Sequence, residues 1–169
     1  MHILLTRPLD DCKDLILRFK SLGHKVSHLP VIKIQNLKHD KVNFDDFSGI
    51  IFTSANAIKN LNTSLINKKI NCFCVGSSTE KFAKLTGFQN IFCAEGNVNN
   101  LKEVILQNFD VKKGSLLYVS GEIISSSLHK DLISEGYNVK RIINYSVNPI
   151  EEIHDKFIKE LKSSIPDMV

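Results

Sequence analysis

Three short turns hold the residues of this chain best suited to chemistry, and each follows an apolar run. They read Thr53-Ser54-Ala55-Asn56 after residues 49–52, Gly76-Ser77-Ser78-Thr79 after residues 72–75 and, more loosely, Thr6-Arg7-Pro8 after residues 3–5. Small polar residues where a strand passes into a helix leave backbone N–H groups unpaired at the positive end of the helix dipole. Such a turn takes a carboxylate or phosphate with little demand on side-chain identity, so the N–H groups of residues 53–56 and 77–79 are candidate anion donors. Arg7 adds a guanidinium that matches a carboxylate. Ser54 and Ser77 also fit ordinary helix caps, and the residues alone leave both roles open.

Positioning these turns requires strands that end on one edge of a sheet, and the periodicity supplies them. Short apolar runs alternate with amphipathic segments, the pattern of parallel β/α units. Residues 2–6 read as a strand, followed by a helix with Cys12, Leu15, Phe19 and Leu22 on one stripe and Gly23 past its end. Residues 25–29 form a second strand ended by Pro30, and 31–37 an extended connector. A second series begins near Asp45 with strands at 49–53, 70–75, 90–93, 115–119 and 138–143. The helices between carry Ala57, Ile58, Leu61 and Leu65; then Phe82, Ala83 and Leu85; then Leu101, Val104, Ile105 and Phe109; then Ile124, Leu128 and Leu132. Ser77 with Glu80 and Asn100 with Glu103 have capping-box spacing. Residues 144–149 read as a second connector, followed by a helix carrying Ile153, Phe157 and Leu161 and by 167–169 as the start of a strand. The expected organisation is a complete domain, 36–148, inserted into a discontinuous one, 1–35 plus 149–169. The latter is incomplete, because two strands and one helix bury too little surface to stand alone.

Composition narrows the function classes. The 169 residues, 43% hydrophobic, suit one ordinary domain or two small ones. The formal charge of +4 is spread along the chain, without the basic stripe of a nucleic-acid binder. No run approaches the ~20 apolar residues of a membrane span, and the N-terminal apolar run is too short for a signal peptide, so a cytoplasmic protein is expected. The four cysteines lack zinc spacing, and the six histidines are scattered, so no metal site is expected. Cys72 and Cys74, two apart on a strand, point to one face as small core residues. The strand tips Thr53, Gly76 and Ser120 lack the acidic cluster of a receiver module. Thr6-Arg7-Pro8 is not a dinucleotide fingerprint.

The order of motifs is more informative than any one of them. It runs Leu4-Leu5-Thr6-Arg7-Pro8, Leu29-Pro30-Val31-Ile32-Lys33-Ile34, Ile51-Phe52-Thr53-Ser54-Ala55-Asn56-Ala57, and Val75-Gly76-Ser77-Ser78-Thr79 with Gly87. It continues with Gly114-Ser115-Leu116-Leu117-Tyr118-Val119 followed by Gly121, Leu128, Leu132, Gly136 and Val139, and closes on Asn144-Tyr145. In this order and spacing the whole chain resembles the uroporphyrinogen-III synthase family. The resemblance implies an α/β fold of two flavodoxin-like parallel-sheet domains joined by two extended connectors, with further β/α units of the first domain beyond the counterpart of Val169. An unfinished sheet in that domain would leave an edge open to self-association or to a complementing fragment.

The same resemblance implies an enzyme that closes hydroxymethylbilane to uroporphyrinogen III. Water is lost, the last pyrrole is inverted through a spiro intermediate, and no cofactor or metal takes part. It implies a monomer that receives its substrate from hydroxymethylbilane synthase. Tyr145, beyond the last apolar strand of the inserted domain, is the catalytic candidate, a phenol donating a hydrogen bond to the departing hydroxyl; the alternative is a hinge aromatic packed under the connector. The substrate is a polycarboxylate, and its expected binding residues are Arg7, Thr53, Ser54, Ala55, Gly76, Ser77, Thr79 and Gly121. Two departures weaken anion binding: Ser120 stands where many members have arginine, and Ser125, Ser126 and Ser127 where basic residues are common. The alternative expectation is a truncated, catalytically silent relative that keeps a folded α/β domain.

Overall fold

The computed structural model describes residues 1–169, Lys156 by its backbone alone. By internal contacts the chain divides into two compact units, Met1–Gln35 with Val147–Val169, and Asn36–Ser146.

The first unit begins with β1 (His2–Leu5), α1 (Leu9–Ser21), β2 (Lys25–His28) and β3 (Ile32–Asn36). β1 and β2 lie in parallel with Ile3 opposite Val26, as a β/α/β connection demands. Asp10 and Asp11 in the first turn of α1 and Arg18 and Lys20 in the last complement its dipole. The helix ends in a Schellman motif, with the Gly23 N–H on the Lys20 carbonyl and the His24 N–H on that of Phe19. Gly23 has φ 79°, a conformation open to glycine at little cost. Cys12 is buried as expected, whereas Leu22 is exposed, because it is the residue that caps the helix and has left its apolar stripe.

The second unit contains β4 (Phe47–Phe52), α2 (Ala55–Lys59), β5 (Asn71–Val75), α3 (Ser77–Leu85), β6 (Asn90–Ala94), α4 (Val98–Asn108), β7 (Ser115–Gly121), α5 (Leu128–Ser134) and β8 (Val139–Pro149). Its pairs β4–β5, β5–β6, β4–β7 and β7–β8 are parallel. Within this unit the strands lie in the order β8-β7-β4-β5-β6. Counted from β4, the five strands of the unit run 3-2-1-4-5, the doubly wound order that reverses between its first and fourth strands. This order refines the flavodoxin-like expectation. α2 packs on α3, and α4 on α5.

Both faces of the central strand are covered, so β4 reads as a continuous apolar run. Ile51 joins Phe73, Leu101, Ile105, Phe109, Leu128 and Leu132 in one core cluster. Its neighbours Ile50 and Phe52 are equally buried, as are Cys72 and Cys74, which take the small-core role expected of them. The last helix, α6 (Asp155–Ser163), belongs to the first unit, and Ile153 precedes it rather than lying on it. The expected strand at 167–169 is a single bridge, Met168 beside Ile3, with the Leu4 N–H donating to the Met168 carbonyl at 2.8 Å.

Several local expectations are overturned. α2 is one short turn of helix: the Asn60 side chain donates to the Asn56 carbonyl and competes with the backbone, so Leu65 falls in a separate 3₁₀ turn and is 68% exposed. Leu85, on α3, is also exposed. Ser77 forms no capping box, because Gly76 at φ 79° and ψ 149° is the N-cap and Ser77 is already helical. The second capping box lies three residues earlier than expected: Asn97 accepts from the Asn99 and Asn100 N–H groups, and Asn100 Oδ1 accepts from the Asn97 N–H. Ile124 precedes α5. Both connectors keep the extended backbone expected of them and, in addition, pair as strands. Residues 144–149 continue β8 without a break, and 32–36 form β3. Their polar side chains hide the pattern, but the backbone pairs: the Leu37 N–H donates to the Asn144 carbonyl and the Glu122 N–H to that of Tyr145, each at 2.9 Å.

Two predictions follow from this packing. Asn97→Ala removes the side-chain oxygen that accepts from the Asn99 and Asn100 N–H groups, leaving only the Asn100 arm of the box, and lowers the unfolding free energy by about 1 kcal/mol, while Ser77→Ala stays within about 0.5 kcal/mol, as urea titration will show. Burial lifts the Cys72 thiol from 9.0 to about 12, so the unfolded chain releases this proton first as pH rises. The contribution is complete below pH 9.0 and is lost between there and about 12. Replacing Cys72 by Ala therefore reduces the alkaline fall in stability by about 1.4 kcal/mol per pH unit within that window.

Candidate functional site

Where the strand order reverses, the carboxyl ends of β4 and β7 diverge and leave a crevice between their following loops. β4 ends at Phe52 and leads into Thr53 and Ser54, and β7 ends at Gly121. These residues line a cavity of about 190 Å³ in the second unit together with Tyr145, Tyr118, Ile123 and Ser126. The structure thus brings together Thr53, Ser54, Gly121 and Tyr145 from the expected set. Tyr118 and Ser126 were not among the expected binding residues. Tyr118 is hidden in an apolar strand whose other members are core residues, and only the register of β7 shows that its hydroxyl reaches the cavity.

Tyr145 lies inside β8 rather than beyond a strand end, which corrects the sequence reading. Its ring is held by an irregular register. β7 and β8 pair Ser120 with Ile143, then slip so that Gly121 faces Tyr145. A Cβ at Gly121 would lie 2.8 Å from Cζ and 3.0 Å from the hydroxyl of Tyr145, so the residue is glycine for want of space. Tyr145 is 8% exposed, and its hydroxyl forms no hydrogen bond among the described residues.

The remaining lining is made of hydroxyls and apolar groups. Thr53 Oγ1 and the Tyr118 hydroxyl lie 3.2 Å apart. Two hydroxyls sharing one hydrogen bond leave one proton free to donate into the cavity. Burial pushes the Tyr118 phenol above its ordinary value, opposed by the Thr53 hydrogen bond and by the charge of Arg141. Ser126 Oγ is buried and has no hydrogen-bond partner among the described residues. No charged side chain lines the cavity among the described residues. Behind Tyr118, the His129 ring sits with centroids 6.2 Å apart, its Nδ1 buried and without a hydrogen-bond partner among the described residues. Burial, then Arg141 and Lys130, lower its pKa, which favours the neutral imidazole.

The other expected residues lie elsewhere. Ala55 opens α2 beside the cavity but does not line it. The Asn56 N–H is already taken by Ser54 Oγ at 3.2 Å, so Ser54 is a helix cap and one expected anion donor is occupied. At the start of α3 the Gly76 N–H bonds the Ala94 carbonyl at 3.0 Å, Ser77 is exposed in a separate shallow hollow, and Thr79 is buried. Arg7 is exposed on the first unit, with its backbone carbonyl accepting from His28 Nε2 at 2.8 Å.

Strand order and cavity define an α/β domain of the doubly wound class with a ligand crevice at its switch point. Residues 13–169 match the family model described as uroporphyrinogen-III synthase HemD, and the chain belongs to the uroporphyrinogen-III synthase family. It is 27% identical over 139 residues to the uroporphyrinogen-III synthase of Saccharomyces cerevisiae, a match covering 71% of this chain and 50% of the yeast protein. The chain thus spans about half the length of that relative. Its fold is similar to the crystal structure of uroporphyrinogen-III synthetase from Helicobacter pylori, with TM-score 0.60, 20% identity, and 99% of this chain and 70% of that one covered. It is also similar to a mutant uroporphyrinogen III synthase from Thermus thermophilus, with TM-score 0.56, 14% identity, and 89% and 64% covered. Among the described residues no helix is long and apolar enough to cross a membrane.

The close approach of Gly121 to Tyr145 is directly testable. Gly121→Ala forces the ring aside and costs about 1–3 kcal/mol. In a Tyr145→Ala background the added methyl meets open space, so the same substitution costs at least about 1 kcal/mol less, a coupling that a double-mutant cycle in urea reads out.

Proposed function

We propose that this chain carries the reaction of its family, cyclising hydroxymethylbilane to uroporphyrinogen III with loss of water and inversion of the last pyrrole. The observation that carries the reading is the convergence of Thr53, Ser54, Gly121 and Tyr145 on one cavity at the switch point of the second unit. The chemistry needs a donor for the departing hydroxyl of the terminal ring. Tyr145 fits this role because its hydroxyl has no partner to give up among the described residues. As the carbon–oxygen bond breaks, the pyrrole nitrogen supplies the electron pair that forms the azafulvene cation, and the phenol hydrogen-bonds the leaving oxygen. The Thr53–Tyr118 pair supplies a second donor at the same cavity.

The protein's larger contribution is conformational. The linear substrate closes without help to the unrearranged ring, so the wall must hold it where the substituted carbon is the nearer nucleophile. Walls of hydroxyl and aliphatic groups suit a ring and its hydroxymethyl group. Backbone N–H groups at the start of α3, in the same unit, would take carboxylates of the substrate.

The test is a coupled assay in which hydroxymethylbilane is generated in situ, the 169-residue chain is added, and the oxidised ring isomers are separated by chromatography. Isomer III above the uncatalysed background is expected, falling about tenfold or more in Tyr145→Phe. Isomer I alone would overturn the reading in favour of a catalytically silent relative.

A further inference from the structure

The reaction proposed above makes no use of Arg141, yet this side chain is bound closely to the site. It stands on β8 opposite Tyr118 and is half-buried. Its Nε donates to Ser120 Oγ at 2.8 Å, and its Nη2 donates to the carbonyls of Gly121 at 2.8 Å and Glu122 at 3.1 Å. Among the described residues it pairs with no carboxylate.

All these acceptors belong to the end of β7 and the turn that follows it. This is also where the ladder between β7 and β8 slips. A slipped strand end cannot satisfy its carbonyls by regular pairing, so they need another donor. Arg141 supplies it from one side. From the other side Tyr145 holds the same stretch: its ring lies against Gly121, and its carbonyl accepts the Glu122 N–H at 2.9 Å. The chain then runs on through Ile123 and Ser126, which wall the cavity.

We propose that Arg141 is a positioning residue: its guanidinium fork fixes the Gly121–Glu122 turn, and through that turn the orientation of the Tyr145 ring and the placement of the loop that walls the cavity. This deepens the functional reading given above and rests on it for the role of Tyr145. The fork, rather than the charge, is what the geometry uses. A lysine ammonium keeps the charge but cannot span one hydroxyl and two carbonyls in fixed directions.

Arg141→Lys and Arg141→Met test this in the full chain. The sequence has three tyrosines, so ring-labelled ¹³C-tyrosine spectra contain three signal sets, and Tyr145→Phe assigns one of them. Tyr137, whose hydroxyl donates to the Phe109 carbonyl at 2.8 Å, reports on the core. In both variants the Tyr145 signals are expected to shift or broaden while those of Tyr137 stay in place. In Arg141→Lys, kcat for isomer III falls tenfold or more with KM changed less than about threefold, the pattern of a lost transition-state arrangement. If Arg141→Met fails to fold, Arg141→Lys decides alone. Tyr145 signals that superimpose on the wild type, or a wild-type kcat in Arg141→Lys, overturn the proposal. If the wild-type chain forms no isomer III, the proposed reaction fails and the tyrosine signals alone decide whether Arg141 positions Tyr145.

Discussion

The narrow gap between Gly121 and the ring of Tyr145 is the constraint around which the rest of the site is arranged. With 2.8 Å from a would-be Cβ to Cζ, no side chain fits at the end of β7. That absence lets the strand slip by one position against β8, so that Tyr145 stands over a turn instead of a regular neighbour. The slip in turn leaves carbonyls that the sheet cannot satisfy, and the Arg141 fork takes them up. Backbone shape, phenol position and loop path are therefore one coupled arrangement.

The topology explains why this arrangement borders a cavity. The strand order reverses between β4 and β7, so the loops leaving their carboxyl ends depart to opposite faces and cannot close over the gap. The strands beneath are rigid because they are buried on both sides, and Tyr118 is anchored among core residues with only its hydroxyl available. A cavity whose lining is neutral, with positive charge one layer behind it, is a surface for orienting polar groups more than for capturing ions. Tyr118 and His129 are both kept in their neutral forms there by burial. This electrostatic character agrees with a role in ordering a flexible substrate.

Much of the fold could be read from the sequence, because parallel β/α units write their periodicity plainly. The strands of the second unit and the burial of Cys72 and Cys74 follow from apolar runs of the right length. What the sequence concealed were features decided by backbone pairing and by competition between polar groups. Residues 144–149 look like a connector because Asn144, Ser146 and Asn148 are polar, yet their backbone completes β8. The cap of α4 went to Asn97 rather than Asn100 because its side chain reaches two N–H groups at once. In the site, Thr53 and Gly121 were legible as strand-end residues. Tyr118 was not, since a tyrosine in an apolar strand gives no sign of where its hydroxyl emerges. Arg141 was silent for a related reason: its acceptors are twenty or so residues away in sequence and become neighbours only through the β7–β8 pairing.

The central proposal is that the cavity beside Tyr145 takes one ring of the tetrapyrrole. The most direct measurement is a titration of ring-labelled tyrosine spectra with uroporphyrin III, the oxidised form of the proposed product. The account predicts saturable shifts of the Tyr145 and Tyr118 signals with those of Tyr137 unmoved. Binding that saturates elsewhere on the chain while the Tyr145 signals stay fixed would contradict it.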